Sequence, residues 1–304
     1  MRVAAIDCGT NSIRLLVADV AGGALVDIER LMEIVRLGEG VDRTGAFSQA
    51  ALVRTFAACD RYAEVIARAG AERVRFVATS ASRDVSNRAA FVEGVVDRLG
   101  ISPDVISGDE EAHLSFTGAV RGLADARSPR LVVDIGGGST EFVMGDAAPT
   151  HALSVDIGCV RMTERCLRSD PPTSDEVAAA TRDIDAAIER ALAVVPGRDA
   201  SSLIGVAGSV TTVAAIALGL PAYDPDVLHG SVISAVEVER VTDRLLGMSR
   251  AERAALPVMH PGRVDVIGGG ALILRQILRR TGHASVLVSE HDILDGIAWA
   301  LAST

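Results

Sequence analysis

The apolar positions along residues 2–37 read as three consecutive strands: RVAAID, SIRLLVADV and, past the Gly22-Gly23 turn, ALVDIERLMEIVRL. A glycine-flanked loop follows (Gly38, Gly40, Gly45), and Ser48 is placed to cap an apolar-periodic helix that reaches Ala69. VRFVAT (74–79) reads as a buried strand, Ser86 as the cap of a helix over 87–99, and DVIS (104–107) as a short strand before an acidic turn. The polar, proline-bearing stretch ADARSPR (124–130) reads as a hinge, after which the opening pattern restarts with strands at 131–135, 140–145 and 150–156. Helices are expected over 160–168 and, behind Pro171, Pro172 and the cap Ser174, over 174–193. LIGVA (203–207) is a buried strand opening onto Gly208-Ser209; VDVIG (264–268) opens onto Gly268–Gly270 and a helix to Arg280. The pattern predicts an α/β protein of two domains, 1–124 and 125–304, with a final helix over 291–302 that packs back on the first.

Within the restarted pattern, LVVDIGGGSTEFVM (131–144) places an aspartate at a strand end, three glycines, a hydroxyl and a second strand in succession. Glycines in such a turn let an anionic oxygen approach backbone N–H groups closely, which makes a phosphate cradle. Read alone, the segment is equally a glycine-rich hairpin without a ligand. Residues 7–17, DCGTNSIRLLV, align without gaps on 134–144, with Asp7 on Asp134, Gly9 on Gly136, Ser12 on Ser139 and Arg14 on Glu141. The copies stand one domain length apart, so they imply two related domains gripping a phosphate chain from both sides of an interdomain cleft.

These paired turns, together with GVAGSVTTVAA (205–215) and VIGGGALIL (266–274), resemble the actin-like ATPase superfamily, with its ribonuclease H-like domains. Within it, DCGTNSIRLLV, ATSASRDVSN (78–87), VISGDEEA (105–112), VVDIGGGSTEFV (132–143) and GCVRMTERCL (158–167) resemble the exopolyphosphatase / guanosine pentaphosphate phosphatase family. The five blocks come in the family's order across most of the first 170 residues, and the match beyond is looser. The resemblance implies removal of terminal phosphate from inorganic polyphosphate with Mg²⁺ or another divalent cation. Long members append a helical C-terminal region, so the chain is expected to be a short form that holds fewer phosphates.

Composition narrows the partners. A net charge of −10 argues against a nucleic-acid or membrane surface, both of which favour basic faces. No apolar run reaches the roughly 18 residues that span a bilayer, and the apolar start stops at Asp7, so a cytoplasmic protein is expected. All 30 basic residues are arginine; guanidinium suits bidentate phosphate contacts, although a GC-rich codon bias yields the same absence of lysine. Cys8, Cys59, Cys159 and Cys166 lack zinc or CxxC spacing and read as buried thiols.

Phosphoanhydride hydrolysis requires a positioned water, a proton acceptor and positive charge around the phosphoryl oxygens. Glu111, in SGDEEA, corresponds in the family to the catalytic carboxylate; by pattern alone the helix macrodipole accounts for acids there. Arg83 reads by itself as a solvated loop arginine, and its block implies phosphate binding. Asn11, Ser12, Thr79, Ser80, Gly136, Gly137, Gly138 and Ser139 are the further phosphate-binding candidates. Asp134 and Glu141, with Asp7, are the metal candidates. Arg14 faces either the cleft or the outer side of its strand, and Arg161 is a weaker candidate that would equally pair with Glu164. His291-Asp292 spells the dipeptide of HD phosphohydrolases but reads as a helix start. Alternatives are a guanosine pentaphosphate 5′-phosphatase, an ATP-dependent kinase, for which no acceptor pocket is evident, and a non-catalytic sensor of polyphosphate or nucleotides such as guanosine penta- or tetraphosphate. An apolar face on the C-terminal helix would favour a homodimer.

Overall fold

The structure, a computed structural model, describes residues 1–83, 85–123 and 126–303. The expected domain boundary between Ala124 and Asp125 lies outside the described residues. The chain divides into two compact units: unit 1 is Met1–Gly118 with Ile293–Thr304, and unit 2 is Ala119–Asp292.

Unit 1 opens with the three predicted strands, β1 (Arg2–Cys8), β2 (Ser12–Ala21) and β3 (Ala24–Ile34). A one-turn helix α1 (Val41–Thr44) and the long α2 (Gln49–Ala69) follow, then β4 (Arg73–Ala78), the single turn α3 (Ser80–Arg83), α4 (Arg88–Leu99), β5 (Asp104–Val105) and α5 (Gly108–Gly122). The five-stranded sheet has the order β3-β2-β1-β4-β5, antiparallel through β3, β2 and β1 and parallel from β1 to β5. Strands buried on both faces read as near-continuous apolar runs. Alternate residues of β1 accordingly serve two cores: Ala4, Ile6 and Cys8 pack with Cys59, Tyr62 and Phe91. Val3 and Ala5 pack instead with Leu114, Ile293, Leu294 and Ile297.

Ser48 caps α2 as expected, accepting from the Ala51 N–H at 3.2 Å. Ser86 does not cap α4. Asn87 holds the cap position, but its amide is engaged with both backbone groups of Phe47 at 2.9 Å, while the Ser86 hydroxyl donates to the Gly45 carbonyl.

Unit 2 repeats the opening with β6 (Arg130–Ile135), β7 (Thr140–Gly145) and β8 (Pro149–Val155), followed by α6 (Cys159–Cys166), α7 (Ser174–Val194), β9 (Ser202–Val206) and α8 (Ala207–Ala217). The remainder is α9 (Pro225–Leu228), β10 (Val232–Ser234), α10 (Ala235–Gly247), α11 (Arg250–Ala254), α12 (Ile267–Thr281) and β11 (Ser285–Val288). The sheet order β10-β11-β9-β6-β7-β8 contains β9-β6-β7-β8 as the counterpart of β4-β1-β2-β3 in unit 1. This is the actin-like arrangement of two related α/β units. Thr173, not Ser174, caps α7, because a reciprocal capping box with Glu176 satisfies two N–H groups.

The segment at 264–268 is not a strand end opening onto a turn. Gly268–Gly270 lie inside α12, where a Cβ on Gly270 would come within 2.3 Å of the Ser209 hydroxyl and one on Gly269 within 2.9 Å of the Cys159 carbonyl. These glycines let helices pack closely. The C-terminal helix, α13 (Ile293–Ser303), buries Ile293, Leu294, Ile297 and Ala298 within unit 1, and Arg30 of β3 clasps its Asp295 at 2.5 Å and 3.3 Å. Its apolar face is therefore used internally and gives no support to a homodimer. No helix among the described residues is long and apolar enough to cross a membrane.

Candidate active site

The two aspartate–glycine turns have the same backbone construction. Gly9 N–H donates to the Ser12 carbonyl at 2.9 Å, and Gly136 N–H donates to the Ser139 carbonyl at 3.0 Å. In unit 2 the carbonyls inside the turn are taken by α6: Gly136 O accepts from Cys159 N–H, Gly137 O from Val160 and Arg161 N–H, and Gly138 O from the Arg161 side chain at 2.7 Å. A trans peptide carries its N–H opposite its carbonyl. The N–H groups of Gly137, Gly138 and Ser139 therefore turn away from α6 as a row, the arrangement that binds anions.

Gly158 permits this docking, since a Cβ there would lie 2.3 Å from the Gly137 backbone and 2.5 Å from the Gly138 nitrogen. In unit 1 the segment after β3 plays the part of α6. Asn11 O accepts from Val35 and Arg36 N–H, Thr10 O accepts from Gly38 N–H, and the N–H groups of Asn11 and Ser12 face the other way.

Thr79 ends β4 with its N–H on the Cys8 carbonyl, and the Ser80 hydroxyl meets the Thr10 hydroxyl at 3.0 Å. This joins the first turn to α3, whose last residue is Arg83. Arg83 donates from Nη1 to Glu111 Oε2 at 2.6 Å, so the phosphate-binding candidate and the catalytic candidate form an ion pair. Of the three acids opening α5, Glu111 alone is buried, at 7% exposure. Glu110 is turned outward onto Arg75 at 2.6 Å.

Strand register sets the acids. Asp134 on β6 stands directly opposite Glu141 on β7, and Ser154 on β8 is opposite Glu141 in turn, donating its hydroxyl to Glu141 Oε1 at 2.7 Å. Side chains directly opposite in an antiparallel pair share a face with Cβ atoms about 5 Å apart. Both carboxylates are buried, at 7% and 1% exposure. Asp7 stands opposite Arg14 in the same register of unit 1, and Arg14 donates to its Oδ2 at 2.7 Å and 3.0 Å. Among the described residues, no group of three or more His, Cys, Asp or Glu side chains is gathered to hold a metal. Two buried carboxylates suit Mg²⁺, which takes one or two protein carboxylates and completes its shell with water and substrate phosphate.

Several features of this geometry escape sequence reasoning. Gly158 opens the GCVRMTERCL block with nothing in the sequence to show its part, Ser154 lies in no motif, and both roles follow from the docking of α6 and the strand register. Arg161 holds the glycine turn through the Gly138 carbonyl and lies 3.8 Å from Asp156. The GVAGS turn is covered by Arg263, whose guanidinium sits where a Gly208 Cβ would be, 2.4 Å from Cζ, and donates to Thr212 at 3.0 Å. Cys8, Cys59 and Cys159 are buried free thiols, with burial pushing Cys59 up to about 12; Cys166 is only half-buried.

The arrangement offers anion-binding amides, hydroxyls, an arginine, a buried carboxylate for proton transfer and an acid pair for a hard cation. The model of the Ppx/GppA phosphatase family matches residues 16–302. Exopolyphosphatase 2 of Mycobacterium tuberculosis (strain H37Rv) is 52% identical over 314 aligned positions, covering 99% of this chain and 98% of that protein. A guanosine-5′-triphosphate,3′-diphosphate pyrophosphatase of Photobacterium profundum is 28% identical, covering 99% of this chain and 59% of its own length. The solved structure of an exopolyphosphatase-like protein superposes with a TM-score of 0.95 at 43% identity, over 98% of both chains. The chain thus belongs to the Ppx/GppA phosphatase family.

Proposed function

We propose that this chain is an exopolyphosphatase that hydrolyses the terminal phosphoanhydride of inorganic polyphosphate and releases orthophosphate. The observation that carries the reading is its 52% identity, over nearly the whole of both chains, to a protein named exopolyphosphatase. In this reading Glu111 accepts the proton of the attacking water. Arg83, the N–H groups of Asn11 and Ser12, and the hydroxyls of Thr79 and Ser80 bind phosphoryl oxygens for unit 1. The amides of Gly137, Gly138 and Ser139 do so for unit 2, the Gly136 N–H being taken by the Ser139 carbonyl.

Asp134 and Glu141 would hold Mg²⁺, which when bound neutralises phosphoryl charge. Asp7, the third candidate ligand, is engaged by Arg14 through its Oδ2. The four cysteines are free thiols, in keeping with a reducing compartment, and we assign the protein to the cytoplasm.

Turnover of polyphosphates of defined length, with Mg²⁺ and with EDTA, tests the proposal. Release of orthophosphate that ceases in EDTA is expected. A second reading, guanosine pentaphosphate 5′-phosphatase, is favoured by the 28% identity to the Photobacterium protein. Side-by-side kcat/KM for the two substrates decides between them. Asp134→Asn is expected to raise the Mg²⁺ concentration for half-maximal rate, since an amide is a poorer ligand for a hard cation; an unchanged Mg²⁺ dependence would leave Asp134 a structural role.

A further inference from the structure

The two units carry the same four-strand row at the level of the turn, filled differently. Reading across the strands, unit 1 has Val77, Asp7, Arg14 and Met32 in register, and unit 2 has Val206, Asp134, Glu141 and Ser154. The first two columns are equivalent in both. The third holds a guanidinium in one unit and a carboxylate in the other, and the fourth differs to match. Ser154 supplies a hydroxyl to orient Glu141, whereas Met32 supplies no donor and no acceptor of comparable strength beside Arg14. Arg14 is one-fifth exposed and Asp7 is buried, and the arginine binds one oxygen of the aspartate through two nitrogens.

We propose that Arg14 is the built-in cation of unit 1, standing where the mirrored row of unit 2 takes a divalent metal, so that the protein binds a single such metal rather than a symmetric pair. The inference rests on the assignment of Asp134 and Glu141 to the metal. Its chemical basis is charge. An aspartate at the end of the first strand is retained in both copies, and an adjacent positive charge beside a row of amides serves a polyanionic substrate. Unit 1 provides that charge covalently and permanently, because an arginine does not deprotonate in proteins. Unit 2 provides it only when loaded. Arg14 is thereby a positioning residue: it fixes Asp7 at the base of the Asn11–Ser12 turn and places fixed charge next to that turn.

The test exchanges the third column between units and counts bound Mn²⁺ by electron paramagnetic resonance, with thermal unfolding in EDTA and in Mn²⁺ as a second readout. Wild type is expected to bind one Mn²⁺ and Arg14→Glu to bind two. Glu141→Arg is expected to bind none, and to unfold in EDTA no earlier than wild type, since it rebuilds the Asp7–Arg14 pair in unit 2. If wild type binds none, or Glu141→Arg keeps its ion, the metal assignment itself fails. If wild type binds one, Glu141→Arg binds none, and Arg14→Glu still binds one, the assignment stands and the built-in cation is overturned. Should Arg14→Glu fail to fold, Glu141→Arg decides alone: a melting temperature in EDTA below that of wild type would show that guanidinium does not stand in for the metal at this register.

Discussion

Under the proposed roles, the ion pair between Arg83 and Glu111 sets substrate and base in competition for one guanidinium, and Glu111→Gln isolates that competition. With Nη1 2.6 Å from Oε2 and side chains 21% and 10% exposed, the pair is mostly shielded from water. Unit charges about 4 Å apart at an effective dielectric near 20 interact by about 4 kcal/mol, and a hydrogen bond to a charged group contributes about 1.5–3 kcal/mol net. Glutamine keeps an acceptor for Arg83 and so retains about 1 kcal/mol of that contact. It also removes a negative charge beside the incoming phosphate.

The difference left for substrate is about 0.5–2 kcal/mol, or roughly 2- to 30-fold in Kd. Glu111→Gln should therefore bind a non-hydrolysable methylene-bridged polyphosphate roughly 2- to 30-fold more tightly than wild type in calorimetry with Mg²⁺. Its kcat should fall by at least about 10²-fold. Glu111→Asp, which keeps the charge, should show no comparable gain in affinity. Equal or weaker binding by Glu111→Gln would refute the view that phosphate takes Arg83 from Glu111.

Gly158→Ala places a Cβ against the Gly137 and Gly138 backbone. Forcing atoms into a packed site costs about 1–3 kcal/mol, so its urea midpoint should fall, and phosphate affinity should fall with it as the turn shifts. Unchanged stability and affinity would show that α6 does not hold the turn. His260 is held below its ordinary value by burial, helped by the charge of Arg263, and its ring accepts the Gly262 N–H at 3.1 Å. The neutral ring is favoured by folding, so its contribution is present above the ordinary histidine value of about 6.5 and is lost as pH falls below it. Between pH 6.5 and 5, wild type should lose more stability in urea titrations than His260→Asn, and equal loss would exclude this source of acid sensitivity.

The elements that position the turns were legible because each carries a strong local signal. β1 and β6 are uninterrupted apolar runs ending in aspartate, and α2 has both its serine cap and, at Gly70, the left-handed residue that ends it at φ 69°. Legibility failed where side chains with cap chemistry are committed elsewhere. Asn87 and Ser86 both have the right oxygens, but Phe47 and Gly45 lie within reach only after the chain has folded, and no local rule ranks a tertiary acceptor against a cap. The pair Arg83–Glu111 was hidden for the same reason: both residues were candidates, 28 positions apart, and only the path through β5 brings them together.

The two triple glycines make the sharper case. Gly136–Gly138 and Gly268–Gly270 are identical in composition and come after similar apolar residues, yet the first presents backbone N–H groups and the second lies within a helix that presses on Ser209 and Cys159. Glycine meets both demands because it lacks a Cβ, and the triplet alone does not distinguish close approach by a ligand from close approach by a neighbouring helix. The residues on its C-terminal side make that distinction. STEFVM begins with hydroxyls and carries the strand-favouring Thr140, Phe142 and Val143, so it continues as a strand, and the glycines must turn the chain back on itself. ALILRQIL has apolar residues at helical spacing throughout, so the glycines need not turn anything and are absorbed into the first turns of α12. A glycine cluster in this fold turns the chain and bares its N–H groups when a strand resumes behind it and neighbouring N–H groups hold its carbonyls, as α6 holds those of residues 136–138.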